Sequence, residues 1–209
     1  MRRLIFILLL CGLLLPSVGF AAQAATTDTT LLNQVLAELG KHASVRAEFT
    51  QTRLNPALSQ PQVSSGQLLF VLGQGMLWQV QKPYQETLAL TGSRSARIDA
   101  QGQPQPMRSE RGVSQISQML QSMLSGKPDE VLRQFDVQAS GTAAQWTLHF
   151  TPKQERMARV LGSIELDGDS FLEGIRIDMQ DGTSTRIRFT GTRDANPLSA
   201  LEKRVFGLP

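Results

Sequence analysis

Apolar and polar positions change period several times along the chain, and each change marks an element. Leu31, Leu32, Val35, Leu36 and Leu39 form one stripe at helical spacing. Asp28 or Thr29 can cap this helix, and Gly40 lies near its end, so the pattern predicts a helix to about His42. From Val45 the period falls to two: Val45, Ala47 and Phe49 alternate with Arg46, Glu48 and Thr50, the signature of a strand. Leu54–Ser65 contains Pro56 and Pro61 and reads as a loop. Two strands follow around Gly73-Gln74, Gln67–Leu72 and Gly75–Gln81, and Pro83 ends the second. Gln85–Thr91 and Arg94–Ala100 make the next pair, joined near Gly92-Ser93.

Helical spacing returns after a Gln-, Gly- and Pro-rich break at Gln101–Pro106. Val113, Ile116, Met119, Leu120, Met123 and Leu124 line one side of a segment over Gly112–Leu124, with Ser and Gln opposite. Gly126-Lys127-Pro128 stops it, and Pro128 suits the first turn of a short helix over Pro128–Gln134. The last third reads as five strands: Phe135–Ala139, Gln145–Thr151, Gly162–Asp167, Gly174–Gln180 and Ser184–Thr190. Asp167-Gly168 and Asp181-Gly182 supply hairpin-turn chemistry.

Closely spaced strands joined by short turns have no room for parallel crossovers. The expected fold is α+β, with one antiparallel sheet, apolar on one face and polar on the other. The helices flanking the first strand block are available to cover the apolar face. The pleat fixes alternation but not which side is concave.

Composition adds an address. Arg2 and Arg3 precede an apolar run from Leu4 to Leu15, and the small residues end in Ala22-Gln23-Ala24. That order predicts a cleavable signal peptide over residues 1–24 and one domain over 25–209. The run is shorter than the ~20 residues of a membrane span. Cys11 lies within it without a small-residue site around it, so no lipoprotein signal is read. The single cysteine leaves with the signal, excluding a disulfide framework and thiol chemistry from the secreted form. Two of the three net positive charges also leave, and there is no Lys/Arg run or stacking platform for nucleic acid.

Catalytic chemistry finds no foothold. His42 and His149 have no partner at ligand spacing and read as surface structural residues. Asp167-Gly168-Asp169 lacks the spacing and closing Glu of an EF-hand. Nucleophile-elbow, zinc-protease and phosphate-loop motifs are missing from the sequence. No cofactor or metal site is expected. The Met-bearing segment has two readings, a core helix or a movable lid whose Met119 and Met123 adapt to varied apolar ligands. The same choice, core or cavity wall, applies to Met76, Trp78, Trp146 and Phe150.

Ser44-Val45-Arg46-Ala47-Glu48-Phe49-Thr50-Gln51, Gly66-Gln67-Leu68-Leu69-Phe70, Met76-Leu77-Trp78 and Lys82-Pro83-Tyr84, followed by Leu90-Thr91-Gly92-Ser93, occur in an order that resembles the outer-membrane lipoprotein carrier proteins of the LolA type. The likeness spans about residues 31–190 and is strongest over 44–92. The chain resembles a divergent branch, LolA-related proteins sometimes linked to export of lipids or aryl polyenes, more than the housekeeping carrier. The resemblance implies an incomplete, curved antiparallel barrel with helices as a lid over an apolar cavity. It implies a periplasmic, monomeric, non-enzymatic carrier of acylated lipoprotein or lipid cargo. Such a carrier would work between an inner-membrane release machine and an outer-membrane acceptor; the alternative is an envelope sensor or scaffold on the same half-barrel. Candidate cavity and lid residues are Phe49, Leu68, Phe70, Leu72, Met76, Trp78, Leu88, Leu90, Ile116, Met119, Leu120, Met123, Trp146 and Phe150. One departure stands out. The arginine that holds the family's lid closed is replaced around Leu72 and Gly73, and the aromatic after it by Met76 or Leu77.

Overall fold

Alternating segments separated by tight turns pair with their neighbours, and that rule builds nearly all of the sheet. The computed structural model describes residues 29–91, 94–99, 101–106, 119, 121–123 and 128–209. Helix α1 is Thr29–Leu39, followed by β1 (Ser44–Leu54), β2 (Gln62–Val71), β3 (Gly75–Lys82), β4 (Glu86–Thr91), β5 (Arg94–Ile98) and β6 (Pro104–Pro106). After α2 (Pro128–Gln134) come β7 (Phe135–Thr142), β8 (Gln145–Pro152), α3 (Glu155–Ala158), β9 (Leu161–Gly168), β10 (Leu172–Met179), β11 (Ser184–Asp194) and α4 (Ala200–Phe206).

The sheet order is β6-β5-β4-β3-β2-β1-β11-β10-β9-β8-β7. Two meanders are therefore joined by a single non-sequential pair, β1 with β11, in which Phe49 faces Phe189 and Gln51 faces Ile187. The outermost strands β6 and β7 do not pair, so the sheet stays open. Pro104 and Pro106 remove donors from the β6 edge, a common protection against further pairing. The sheet curls toward one face. Trp78 on β3 meets Phe189 on β11 edge-on at 6.5 Å between ring centroids, although three strand spacings on a flat sheet would separate their backbones by about 14 Å. A bulge between Ser65 and Gly66 helps the turn. A Cβ on Gly66 would sit 1.8 Å from the Gln79 carbonyl oxygen, so only glycine fits there.

Helix α1 ends at Leu39, earlier than expected, with Gly40 and Lys41 closing the turn through hydrogen bonds to Leu36 and Glu38. The break at Gln101–Pro106 carries a short edge strand, held by Asp99, whose carboxylate accepts from the Gln101 and Gln103 amides. Strand β9 runs through Gly168, so the turn falls one step later: Asp169 accepts from the Phe171 amide. The two histidines also gain acidic neighbours distant in sequence. His42 Nδ1 lies 2.8 Å from Asp194 and its ring packs on Phe171, and His149 Nδ1 lies 3.8 Å from Glu165.

The expectation of one apolar face fails over β2–β4. Leu69, Val71, Leu77 and Ala89 face away from the main core and are buried with Ala195 and Phe206 in a second cluster. Helix α4 makes the cover. Its Ser199 and Glu202 form a reciprocal capping box, and Gly207 closes it in the left-handed conformation. The Arg46 guanidinium on β1 donates to Glu202 at 2.7 Å, pinning the helix to the sheet.

Burial opposes ionisation of Glu202, but hydrogen bonds from Arg46 and from the Ser199 amide and hydroxyl outweigh it and hold the carboxyl below its ordinary value of 4.5. A depressed folded value means that this contribution is complete above the unfolded value and is lost as pH falls through the folded one. Protection of the Ala200–Phe206 amides against hydrogen exchange, relative to the intrinsic rate at each pH, is therefore expected to fall below about pH 4.5. Glu202→Gln should flatten that pH response. An unchanged response in the variant would place the acid-sensitive group elsewhere.

Candidate functional site

Cross-strand pairing carries the inner-face residues into continuous rows. Leu88, Trp78, Leu68 and Ala47 are successive partners across β4, β3, β2 and β1. In the other meander, Ile187, Ile175, Leu166, Leu148 and Ala139 form the matching row, and Ile177, Ile164, Phe150 and Val137 another. Direct partners share a face and approach to about 5 Å, so alternation in sequence becomes an apolar wall crossing the central strands.

Every expected lining residue among those described lies on this wall or on its cover. Phe49, Leu68, Phe70, Met76, Trp78, Leu90, Met119, Met123, Trp146 and Phe150 are buried in one cluster, and Leu72 and Leu88 are partly buried against it. Ile116 and Leu120 lie outside the described residues. The cluster also holds residues that sequence reading placed on elements without naming as candidates: Leu31, Leu32 and Val35 of α1, and Phe135, Val137, Ile164, Ile187 and Phe189. Their signal was the same alternation or helical stripe.

Aromatic rings organise the centre. Phe49 and Trp78 stack at 3.8 Å, and Phe135 meets Phe150 edge-on at 6.1 Å. Trp146 closes the end of the wall near the β9–β10 turn. Its ring is 1% exposed, and its Nε1 donates to the Asp169 carbonyl at 2.6 Å. Methionines contribute from both sides, Met76 from β3 and Met119 and Met123 from the helical residues above. Their unbranched, polarisable side chains repack at low cost around different shapes.

The covering segment is tied to the sheet by a residue that sequence reading counted only as polar. Gln121 accepts from the Gly73 amide at 2.9 Å, and its Nε2 donates to the Val71 carbonyl at 3.2 Å. One side-chain amide thus bridges the end of β2 and the turn that follows it. It does so at Gly73 and beside Leu72. Nothing in the period of the segment could show this, because a backbone partner 48 residues away leaves no mark in sequence.

The chemistry of this face is that of apolar burial. Among the described residues, no buried side-chain nitrogen or oxygen lacks a hydrogen-bond partner, and no group of three or more His, Cys, Asp or Glu is placed to hold a metal ion. No described helix is long and apolar enough to cross a membrane.

A family model described as "Outer membrane lipoprotein carrier protein LolA" matches residues 40–202. An outer-membrane lipoprotein carrier protein of Methylococcus capsulatus is 28% identical over 195 residues, covering 92% of this chain and 86% of that protein. One of the same description from Pseudomonas fluorescens is 24% identical, with 96% and 95% covered. Among solved structures, a LolA superfamily protein of Nitrosomonas europaea aligns at 8% identity and a TM-score of 0.46, covering 85% of this chain and 98% of that one. The MucA/MucB complex of Pseudomonas aeruginosa aligns at 12% identity and a TM-score of 0.49, covering 85% and 59%.

Proposed function

Since the chain belongs to the LolA family of outer membrane lipoprotein carrier proteins, we propose that it binds the acyl chains of lipoproteins or other lipids against its inner face and carries them across the periplasm from the inner to the outer membrane. The observation that carries this reading is the apolar wall of the open sheet, roofed by helices that include two methionines. A hydrolase would need polar groups converging within that wall. A carrier needs the reverse, an adaptable apolar surface without reactive groups.

The energetics are suitable for a shuttle. Each methylene moved out of water contributes about 0.8 kcal/mol, so a long chain offers on the order of 10 kcal/mol before the cost of moving the helices is subtracted. Cargo enters by displacing side chains that already fill the space, and leaving lets them close again. Binding is therefore strong enough to hold a chain in water and weak enough to hand it on. The protein acts as a monomer, taking cargo from an inner-membrane release machine and yielding it to an outer-membrane acceptor.

Native mass spectrometry of protein recovered from its own periplasm tests the proposal. A bound lipid or acylated peptide is the expected result, as is uptake of a fluorescent fatty acid by the delipidated protein. Failure of both would overturn the carrier reading. A single protein partner held stably, with no lipid, would support the sensor or scaffold reading instead.

A further inference from the structure

Six large hydrophobic side chains are well exposed among the described residues: Leu54, Leu58, Val63, Tyr84, Val160 and Leu201. Their distribution is uneven. The antiparallel order puts the β1–β2 loop, the β3–β4 loop, the β10–β11 turn and the β8–β9 connection at the same end of the sheet. Leu54, Leu58, Val63, Tyr84 and Val160 all lie at that end, while the sixth sits on α4. Neighbouring elements link them. Val63 pairs with Thr52, Leu54 with Ser184, and Val160 accepts from the Gln180 amide beside the β10–β11 turn. From β4 to β9 the arc covers six strand spacings, roughly 29 Å.

The charges on this arc are unbalanced in what they leave available. Glu86 is engaged by Arg97, Glu155 by Arg159, and Asp181 by the Thr183 amide. Asp181 also feels the charge of Arg53. Lys82, Arg156 and Arg186 are exposed and have no carboxylate within 4 Å among the described residues. Spare charge at this end is therefore cationic.

We infer that this end of the sheet is a docking surface for an anionic phospholipid headgroup layer, the exposed side chains of Leu54, Leu58, Val63, Tyr84 and Val160 entering the interface while Lys82, Arg156 and Arg186 contact the headgroups. The geometry favours a lipid plane over a folded partner. The apolar side chains are spread over three separate connections, Leu54, Leu58 and Val63 on the β1–β2 hairpin, Tyr84 between β3 and β4 and Val160 between β8 and β9, and a tyrosine among them suits the level of the headgroups. Binding of this kind is weak and reversible, which keeps the protein free to leave. The inference does not depend on what the inner face holds.

The test uses the chain from Ala25 onward, which contains every described residue and lacks the apolar run at Leu4–Leu15 that would bind lipid by itself. Sedimentation with vesicles of phosphatidylglycerol and phosphatidylcholine is expected to pull the protein down at low salt, and vesicles of phosphatidylcholine alone should capture at least tenfold less. A protein that merely withdraws lipid into its inner face stays in the supernatant, so the two activities separate. Each cation near such a surface is worth about fivefold in partitioning. Lys82→Glu with Arg156→Glu should thus lower binding by more than twentyfold. Leu58→Asp with Tyr84→Asp, both at exposed positions that leave folding intact by circular dichroism, should lower it at least tenfold, and Leu201→Asp should leave it unchanged. No capture by the anionic vesicles would overturn the inference, as would equal capture by neutral ones or an equal loss in the Leu201 variant.

Discussion

Trp146→Ala is expected to lower stability by about 3–5 kcal/mol, the range for truncating a buried aromatic. The ring is 1% exposed and sits where β8, β9 and the β9–β10 turn converge. Removing it leaves a void bounded by backbone that cannot close. Gly168 faces the ring so closely that a Cβ there would lie 2.8 Å from the indole and 2.1 Å from the Phe171 carbonyl oxygen. The hydrogen bond to Asp169 is a separate contribution. Trp146→Phe keeps most of the apolar volume and strands that carbonyl, so it should cost about 1–3 kcal/mol. Urea denaturation checks both, with the midpoint falling and the slope unchanged. For a domain of this size the alanine loss corresponds to roughly 6–20 °C in Tm. A loss near 1 kcal/mol would mean that the ring borders open space, the other reading its sequence context allowed.

How far the fold could be read in advance depends on where each signal resides. Alternation within strands is local, so Phe49, Trp78 and Phe150 were assignable to strand faces from their neighbours alone. Closely spaced strands with short turns also announced an antiparallel sheet. The β1–β11 pairing has no such signal, because it joins residues more than a hundred positions apart. The second cluster was missed for another reason. In Leu68-Leu69-Phe70-Val71 both faces are apolar, so the run has no period, and reading it as one-sided hid Leu69 and Val71. Its cover was legible after all: Ser199-Ala200-Leu201-Glu202 is a capping-box sequence ahead of Phe206. The Gln121 grip on the β2–β3 turn belongs with the pairing that leaves no trace, since its partners are backbone groups.

Adjacent residues on opposite faces offer the sharpest test of which face does the work. Phe70 points into the main core and Leu69 into the cluster under α4. Placing a carboxylate at either should cost several kcal/mol, because an unpaired charge enters apolar surroundings. The functional outcomes should differ completely. Phe70→Asp, like Met76→Asp beside it in the β2–β3 register, puts a charge where an acyl chain would lie and is expected to abolish uptake of a fluorescent fatty acid. Leu69→Asp leaves that wall intact and should retain uptake while releasing α4, seen as new proteolysis between Asp194 and Phe206. Should the aspartate variants fold too poorly to assay, Phe70→Ala and Leu69→Ala carry the same contrast at lower cost: the first is expected to change affinity severalfold and the second to leave it within error. Uptake that survives at Phe70 and fails at Leu69 would move the ligand to the outer face, beneath α4. In that case the helix pinned by Arg46 and Glu202, and not the segment gripped by Gln121, would be the element that must yield to cargo.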